Sequence, residues 1–137
     1  MTRICNILVV EDDEAVQALL GDVLDYAGYL FTLTGNGDEM RAALDTAAFD
    51  VAIIDITLQG EDGFALAEYA QSKGCGILLT TGDHQQIERI EASGHRHLFK
   101  PFRIEELTAL VDLILTDTAA LCMARPKPDQ PSAIAGA

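Results

Sequence analysis

The sequence predicts an α/β protein: a (βα)5 doubly wound domain with a five-stranded parallel sheet. Three observations predict it. Short apolar, β-branched runs alternate with stretches of helical spacing, and this alternation implies parallel strands with helices on both faces. Two of the runs, "VAIID" (Val51–Asp55) and "GILLT" (Gly76–Thr80), are almost continuously apolar, as strands covered on both sides must be. The chain of 137 residues, 49% apolar, suits one domain with one interior.

Each element has its own warrant. Ile4–Val10 reads as the first strand. Val16, Leu19, Leu20, Val23, Leu24 and Ala27 recur at three and four residues, so Glu14–Ala27 is an amphipathic helix, with Gly28 as a left-handed cap. Tyr29–Leu33 is the second strand and Glu39–Ala48 the second helix. Val51–Asp55 is the third strand, and Gly63–Lys73 follows as a helix with Asp62 as N-cap and Gly74 past its end. After Gly76–Thr80 comes a helix over His84–Ala92, closed by Gly94, for which Asp83 and Gln86 fit a capping box. Arg96–Phe99 is the fifth strand. The stripe Ile104, Leu107, Leu110, Val111, Ile114 and Leu115 marks the fifth helix. From about Ala119 periodicity lapses and "ARPKPDQPSAIAGA" holds three of the four prolines. The expected organisation is a domain over 1–118 and a disordered tail over 119–137.

Composition excludes several functions. No run approaches the roughly 18 apolar residues of a membrane helix. "MTRICNILVVEDD" ends its short apolar run in acids rather than a small-residue cleavage site, so no signal peptide is expected and the location reads as cytoplasmic. The formal charge of −13 favours solubility and repels a phosphate backbone, so nucleic acid is not an expected partner. Cys5, Cys75 and Cys122 are odd in number and far apart without a CxxC, and are expected as reduced thiols, two of them buried.

The acids of "ILVVEDDEAV" (Ile7–Val16) stand at the end of a buried strand. Ligands of an open parallel sheet bind beyond the carboxyl ends of its strands. At that edge the first strand ends in Glu11, Asp12 and Asp13, the third in Asp55, the fourth in Thr80 and Thr81, and the fifth in Lys100. Clustered carboxylates repel unless a proton or cation intervenes, and hard oxygen donors favour magnesium, manganese or calcium. A divalent cation, an ammonium and a hydroxyl beside carboxylates suit a phosphoryl group, with one carboxylate as a possible nucleophile. Asp13 and Glu14 have a plainer reading as the N-cap and first turn of the helix, where negative charge is favoured. His95 and His97 share a strand face, but no third soft ligand lies near in sequence, so a metal site there is not expected.

The motifs "VVEDD" (Val9–Asp13), "IIDITLQGEDG" (Ile53–Gly63), "LLTTGD" (Leu78–Asp83) and "LFKPF" (Leu98–Phe102) stand in an order and spacing that resemble the receiver domain of bacterial two-component response regulators, the CheY-like branch of the flavodoxin-like fold. The resemblance covers about residues 4–117. It implies a phosphoprotein of phosphorelay signal transduction in which Asp55 becomes an aspartyl phosphate. It further implies that Glu11 and Asp12 hold Mg²⁺, with Mn²⁺ as a substitute. Asp12 would bind directly, Glu11 through water, and Asp55 and the main-chain carbonyl of Thr57 would join them. By the same resemblance Thr81 is the switch hydroxyl, Lys100 pairs with the phosphate, and the Lys100–Pro101 bond is cis. Thr57 and Asp83 would tune hydrolysis. Such a protein is no enzyme toward external substrates; it catalyses only its own phosphoryl transfer and dephosphorylation. A haloacid-dehalogenase-type phosphatase needs a second Asp where this chain has Thr57. A flavodoxin-like flavin binder needs a loop rich in Ser, Thr and Gly after the first strand, where this chain is acidic.

Three positions depart from the family pattern. His97 replaces the usual Tyr or Phe, which puts the aromatic half of the switch in question, and Phe99 is not expected to substitute. Gln59–Gly60 replaces Pro-Gly, and Arg103 stands at the N-cap of the last helix. The expected partners are a sensor histidine kinase or histidine phosphotransfer protein, and a downstream protein docking on the face of the fourth helix, fifth strand and fifth helix. That face is expected to carry His84, Glu88, Glu91, Arg96, Glu105, Leu107 and Asp112 in some mixture of exposure. The expected form is a stand-alone receiver, monomeric or dimerising on phosphorylation. The rival is a receiver that docks independently of phosphorylation.

Overall fold

The computed structural model describes residues 3–118 and 120–126. In chain order the elements are β1 (Arg3–Ile4), β2 (Asn6–Val10), α1 (Glu14–Ala27), β3 (Leu30–Thr34), α2 (Gly37–Thr46), β4 (Val51–Asp55), α3 (Gly63–Ser72) and β5 (Gly76–Thr81). A 3₁₀ turn (His84–Gln86), α4 (Ile87–Ser93), β6 (Arg96–Phe99), α5 (Ile104–Asp117) and β7 (Cys122–Met123) complete them. Strands β2 to β6 form one parallel sheet in the order β3-β2-β4-β5-β6. The expected doubly wound α/β architecture is therefore present.

Burial follows strand position. Every residue of the interior strands β4 and β5 is buried, whereas the edge strand β3 exposes alternate residues. Alternation along each strand divides the core between the two faces of the sheet. Leu8, Val10, Ala52, Ile54 and Leu79 pack against Met40 of α2, Leu66 and Ala67 of α3, and Ile90 of α4. Ile7, Val9, Ile53 and Leu78 pack against Leu20 and Leu24 of α1 and Leu107, Val111 and Ile114 of α5. Full burial of one such side chain contributes about 1.5–3 kcal/mol.

Local chemistry ends most helices where the sequence places their ends. Asp13 Oδ1 accepts from Ala15 N and Val16 N, and Asp62 accepts from Phe64 N. Gly28 and Gly94 close α1 and α4 at φ +91° and +75°, a region that residues with a Cβ rarely adopt. Glu106 accepts from Arg103 N at 2.9 Å, which satisfies the start of α5 without a side-chain cap from Arg103.

Several expectations are corrected. Helix α2 begins at Gly37, not Glu39, because Asn36 Oδ1 caps it through Glu39 N, and it ends at Thr46. The predicted fourth helix opens with the 3₁₀ turn and becomes α-helical only at Ile87. The Asp83–Gln86 capping box does not form, because the Asp83 amide donates to Thr81 Oγ1 instead. The first strand breaks at Cys5, and the piece before it pairs with β7. Chain beyond 119 is thus not structureless throughout: residues 120–126 return to the N-terminal edge, while 127–137 lie outside the described residues. Cys5 and Cys122 form a disulfide, their Cα atoms 4.8 Å apart, against the expectation of three thiols. Spacing held no trace of it, since the partners are 117 residues apart and meet only through β1–β7 pairing. Cys75 alone is free among the three, and it is buried.

Candidate functional site

The carboxyl ends of four strands build the site. Pleating that buries Val9 and Val10 leaves Glu11 just past β2, where it is only 1% exposed. Asp55 ends β4 at 3% exposure, and Thr81 ends β5 fully buried. Lys100 follows β6, its amide donating to the Thr81 carbonyl at 2.8 Å and its peptide bond to Pro101 cis. Asp12 is exposed at the rim.

Lys100 Nζ lies 2.6 Å from Glu11 Oε1 and 3.0 Å from Asp55 Oδ2. One ammonium thus bridges two buried carboxylates. The other oxygen of Asp55 accepts from the Thr57 amide at 2.8 Å and the Thr57 hydroxyl at 2.6 Å. Glu11 Oε2 accepts from Asp13 N, and the Gln17 amide ties the Glu11 carbonyl to that of Thr34. Asp12 Oδ2 is 3.4 Å from Gln59 N, a long contact that leaves the carboxylate largely to solvent. Oxygens of Glu11, Asp12 and Asp55 lie within 4.8 Å of one another.

The electrostatics set the two buried acids apart. Burial pushes the Asp55 carboxyl up, but the Thr57 donors and Lys100 outweigh it and hold the group below its ordinary value. Burial dominates at Glu11, whose carboxyl stays above its ordinary value despite Lys100 and the Asp13 amide. Burial alone would lower Lys100, yet its bonds to Glu11 and Asp55 raise it. Two buried carboxylates share one lysine and a third acid stands at the rim, so the cluster keeps net negative charge and offers carboxylate oxygens of the kind hard divalent cations take.

The motifs quoted above thus converge, and over residues 7–112 the chain matches the family model of the response regulator receiver domain. The chain belongs to that family. This receiver is 32% identical over 126 residues to the protein PetR of Rhodobacter capsulatus, covering 89% of this chain and 53% of PetR. It is 30% identical over 114 residues to the transcriptional regulatory protein TorR of Escherichia coli, covering 80% of this chain and 50% of TorR. The receiver therefore spans about half the length of these relatives. Among solved structures, the receiver domain of the response regulator TorR superposes with TM-score 0.75 at 29% identity, covering 83% of this chain and 98% of that one. The response regulator TrrA from Thermotoga maritima, solved in complex with Mg(2+)-BeF, superposes with TM-score 0.74 at 26% identity, covering 82% and 100%.

Other details of the receiver were missed or misplaced in sequence. Thr57 was expected to act through its carbonyl; its hydroxyl and amide also grip Asp55. Phe99 pairs in register with Thr81 and stacks on His84, ring centroids 4.4 Å apart, while His97 meets the edge of Phe99 at 5.4 Å. The aromatic beside Thr81 is therefore Phe99, which was not expected to substitute for the one missing at His97. Among the described residues no histidine joins a cluster of metal-ligating side chains. On the expected partner face His84, Glu88, Glu91, Arg96 and Glu105 are exposed. Leu107 is not on it: it is fully buried under the sheet. Asp112 is exposed, and its carboxylate accepts from the hydroxyl of Tyr29, in the connection between α1 and β3.

Proposed function

We propose that this receiver accepts a phosphoryl group on Asp55 from a phosphohistidine and uses it to change the surface near α4. The observation that carries the reading is the Asp55 carboxylate itself, buried at a strand end, gripped by Thr57 on one oxygen and facing Lys100 with the other. Glu11, Asp12, Asp55 and the main-chain carbonyl of Thr57 are the groups that would hold Mg²⁺, or Mn²⁺ in its place; the oxygen-only donor set fits such a cation. The cation would supply charge neutralisation to the transferring phosphoryl group.

The chain's own residues do the remaining work. Asp55 is ionised because Thr57 and Lys100 hold its proton affinity down, so a carboxylate oxygen is ready to attack phosphorus. The new P–O bond forms as the P–N bond to the donor histidine breaks, and the leaving imidazole keeps the electron pair. Lys100 turns from its carboxylates to the phosphoryl oxygens, where its charge is needed most. Thr81 donates its hydroxyl hydrogen to the same group. Its movement draws on the Asp83 amide that donates to its oxygen, and so on His84 and the Phe99 beneath it. Phe99 and His84 then stand in for the family aromatic that His97 lacks. Thr57 and Asp83 flank the acyl phosphate and set how readily water hydrolyses it.

A sensor histidine kinase or histidine phosphotransfer protein is the proposed donor, and a protein recognising the α4–β6–α5 face the proposed target, with no nucleic acid bound by this domain. A cytoplasmic location agrees with this role. No helix among the described residues is long and apolar enough to cross a membrane. The test is a ¹⁵N NMR titration with Mg²⁺ and then beryllofluoride. Mg²⁺ is expected to shift amides around Asp12 and Asp55, and beryllofluoride those of Thr81, Lys100 and α4. A folded protein whose spectrum ignores both additions is instead a receiver that docks without phosphorylation.

A further inference from the structure

Residues 120–126 lie as a strap across the N-terminal edge of the sheet, outside the segment that matches the receiver family. Few bonds hold it. The β1–β7 bridge spans two residues, Cys5 N donates to Met123 O, Ala120 N to Leu115 O and Arg125 N to Gly28 O, and Arg125 faces Asp25 at 3.6 Å. Leu121 and Met123 remain 82% and 46% exposed, and of the strap's side chains only Cys122 and Ala124, both small and partly buried, pack against the core. Segments with so few buried contacts open at small free-energy cost. The Cys5–Cys122 disulfide is the one covalent hold on it.

That bond is reachable. A shallow cavity of about 250 Å³ is lined by both cysteines together with Tyr29, Leu115 and Met123. Cys5 is 2% exposed, whereas Cys122 is only partly buried, so Cys122 is the half of the bond nearer to solvent and the side from which we take an external thiolate to approach. In the reducing compartment proposed above, disulfides are as a rule transient or redox-sensing rather than permanent.

We propose that Cys5 and Cys122 form a thiol–disulfide exchange site whose substrate is a dithiol reductant, and that its redox state decides whether the strap lies across the sheet edge. A thiolate of the dithiol attacks Cys122 Sγ, the Sγ–Sγ bond breaks, and Cys5 leaves as a thiolate that takes a proton from solvent. The second thiol of the reductant then attacks the mixed disulfide and releases Cys122. Two electrons pass: the protein disulfide becomes two thiols and the dithiol becomes a disulfide. Reduction frees Ala124, which is one of the residues lining the apolar groove between α1 and α5, together with Leu19, Val23, Tyr26 and Ile104. The same exchange run in reverse with a small-molecule disulfide as oxidant, which is itself reduced to two thiols, re-forms the Cys5–Cys122 bond and returns Ala124 to the groove.

The experiment uses the full chain, oxidised with glutathione disulfide and then titrated with dithiothreitol. Free thiols are counted by acid quench, unfolding and alkylation, alongside amide hydrogen exchange. The expected result is a rise from one thiol, Cys75, to three, with exchange at Cys5 and Arg125 amides accelerating at least tenfold while β4 and β5 keep their protection. Three thiols after oxidation would mean that no such pair forms. A disulfide that yields only when β4 and β5 also open is a structural staple, and the proposal fails. Cys122→Ser provides the independent arm: its strap is expected to exchange rapidly without reductant. Protection equal to the oxidised protein would show that backbone pairing holds the strap and that no thiol gates it. Because phosphorylation is not read in this assay, its outcome is separate from that of the Asp55 proposal.

Discussion

Removing the Lys100 ammonium while keeping a stem of similar length, as in Lys100→Met, strands two buried carboxylates. Glu11 and Asp55 are 1% and 3% exposed and both bond to Nζ, at 2.6 and 3.0 Å. Breaking a buried pair by deleting one partner costs about 3–5 kcal/mol. The lower end applies, since the Lys100 side chain is itself 23% exposed and solvent can reach the gap. For a domain of this size about 3 kcal/mol corresponds to a fall in Tm of roughly 10 °C. The pH dependence carries the sign. In the wild type Asp55 lies below its ordinary value, so its contribution is present above the unfolded pKa and is lost as pH falls through the folded one. Glu11 lies above its ordinary value, so its contribution is present below the unfolded pKa and is lost as pH rises through the folded one. In Lys100→Met both groups move upward, and the penalty is full at pH 7 but shrinks as pH falls and both protonate. Thermal melts from pH 7 to about 4.5 in EDTA, wild type against variant, measure the gap. Adding Mg²⁺ at pH 7 is expected to recover part of it. A variant as stable as the wild type at pH 7, or a gap that ignores pH, would refute the claim that Lys100 stabilises this pair by bridging it.

The remaining predictions concern neighbouring parts of the site and its support. Asp12→Asn removes a rim carboxylate that makes one long contact among the described residues, so isothermal titration is expected to show at least a tenfold loss of Mg²⁺ affinity with Tm in EDTA unchanged within about 2 °C. Mg²⁺ affinity of the wild type is expected to fall on acidification at a higher pH than an ordinary glutamate would dictate, because the Glu11 carboxyl is raised; a titration series between pH 4.5 and 7 reads this directly. Phe99→Ala is expected to keep the beryllofluoride shifts at Asp55 and Lys100 while abolishing those in α4, since the stack on His84 is gone; unchanged α4 shifts would place the coupling elsewhere. Gly63→Ala is expected to destabilise by about 1–3 kcal/mol in urea melts, because its Cβ would lie 2.4 Å from Ile56 Cα, and backbone cannot step aside as a side chain does.

What was legible in the sequence was whatever physics acts over a few residues. Interior strands announced themselves because burial on both faces requires unbroken apolar runs, as in Val51–Asp55 and Gly76–Thr81. Asp13, Asp62, Gly28 and Gly94 end helices by chemistry confined to one turn, and each stands where it was expected. The convergence of Glu11, Asp55, Thr81 and Lys100 followed once strand ends were known to share an edge. Features set by long-range placement were not legible. The Cys5–Cys122 bond depends on the path of a segment without periodicity. Leu107 was read both as part of the apolar stripe of the last helix and as part of a partner face of mixed exposure, and only its place in the stripe, under the sheet, shows in its burial. The role of Phe99 depends on which side chain of α4's entry lies over it, and His84 gets there only through the 3₁₀ turn.

The central claim is that Asp55 carries the phosphoryl group, and the most direct test is to place one there. The protein is incubated with Mg²⁺ and a small-molecule donor such as phosphoramidate, its intact mass is recorded, and borohydride reduction followed by peptide mass spectrometry maps the acyl phosphate. The account predicts one added phosphoryl group, mapped to Asp55, dependent on Mg²⁺ and absent from Asp55→Asn. A protein that stays unmodified in the presence of Mg²⁺, or one modified at another residue, would contradict it.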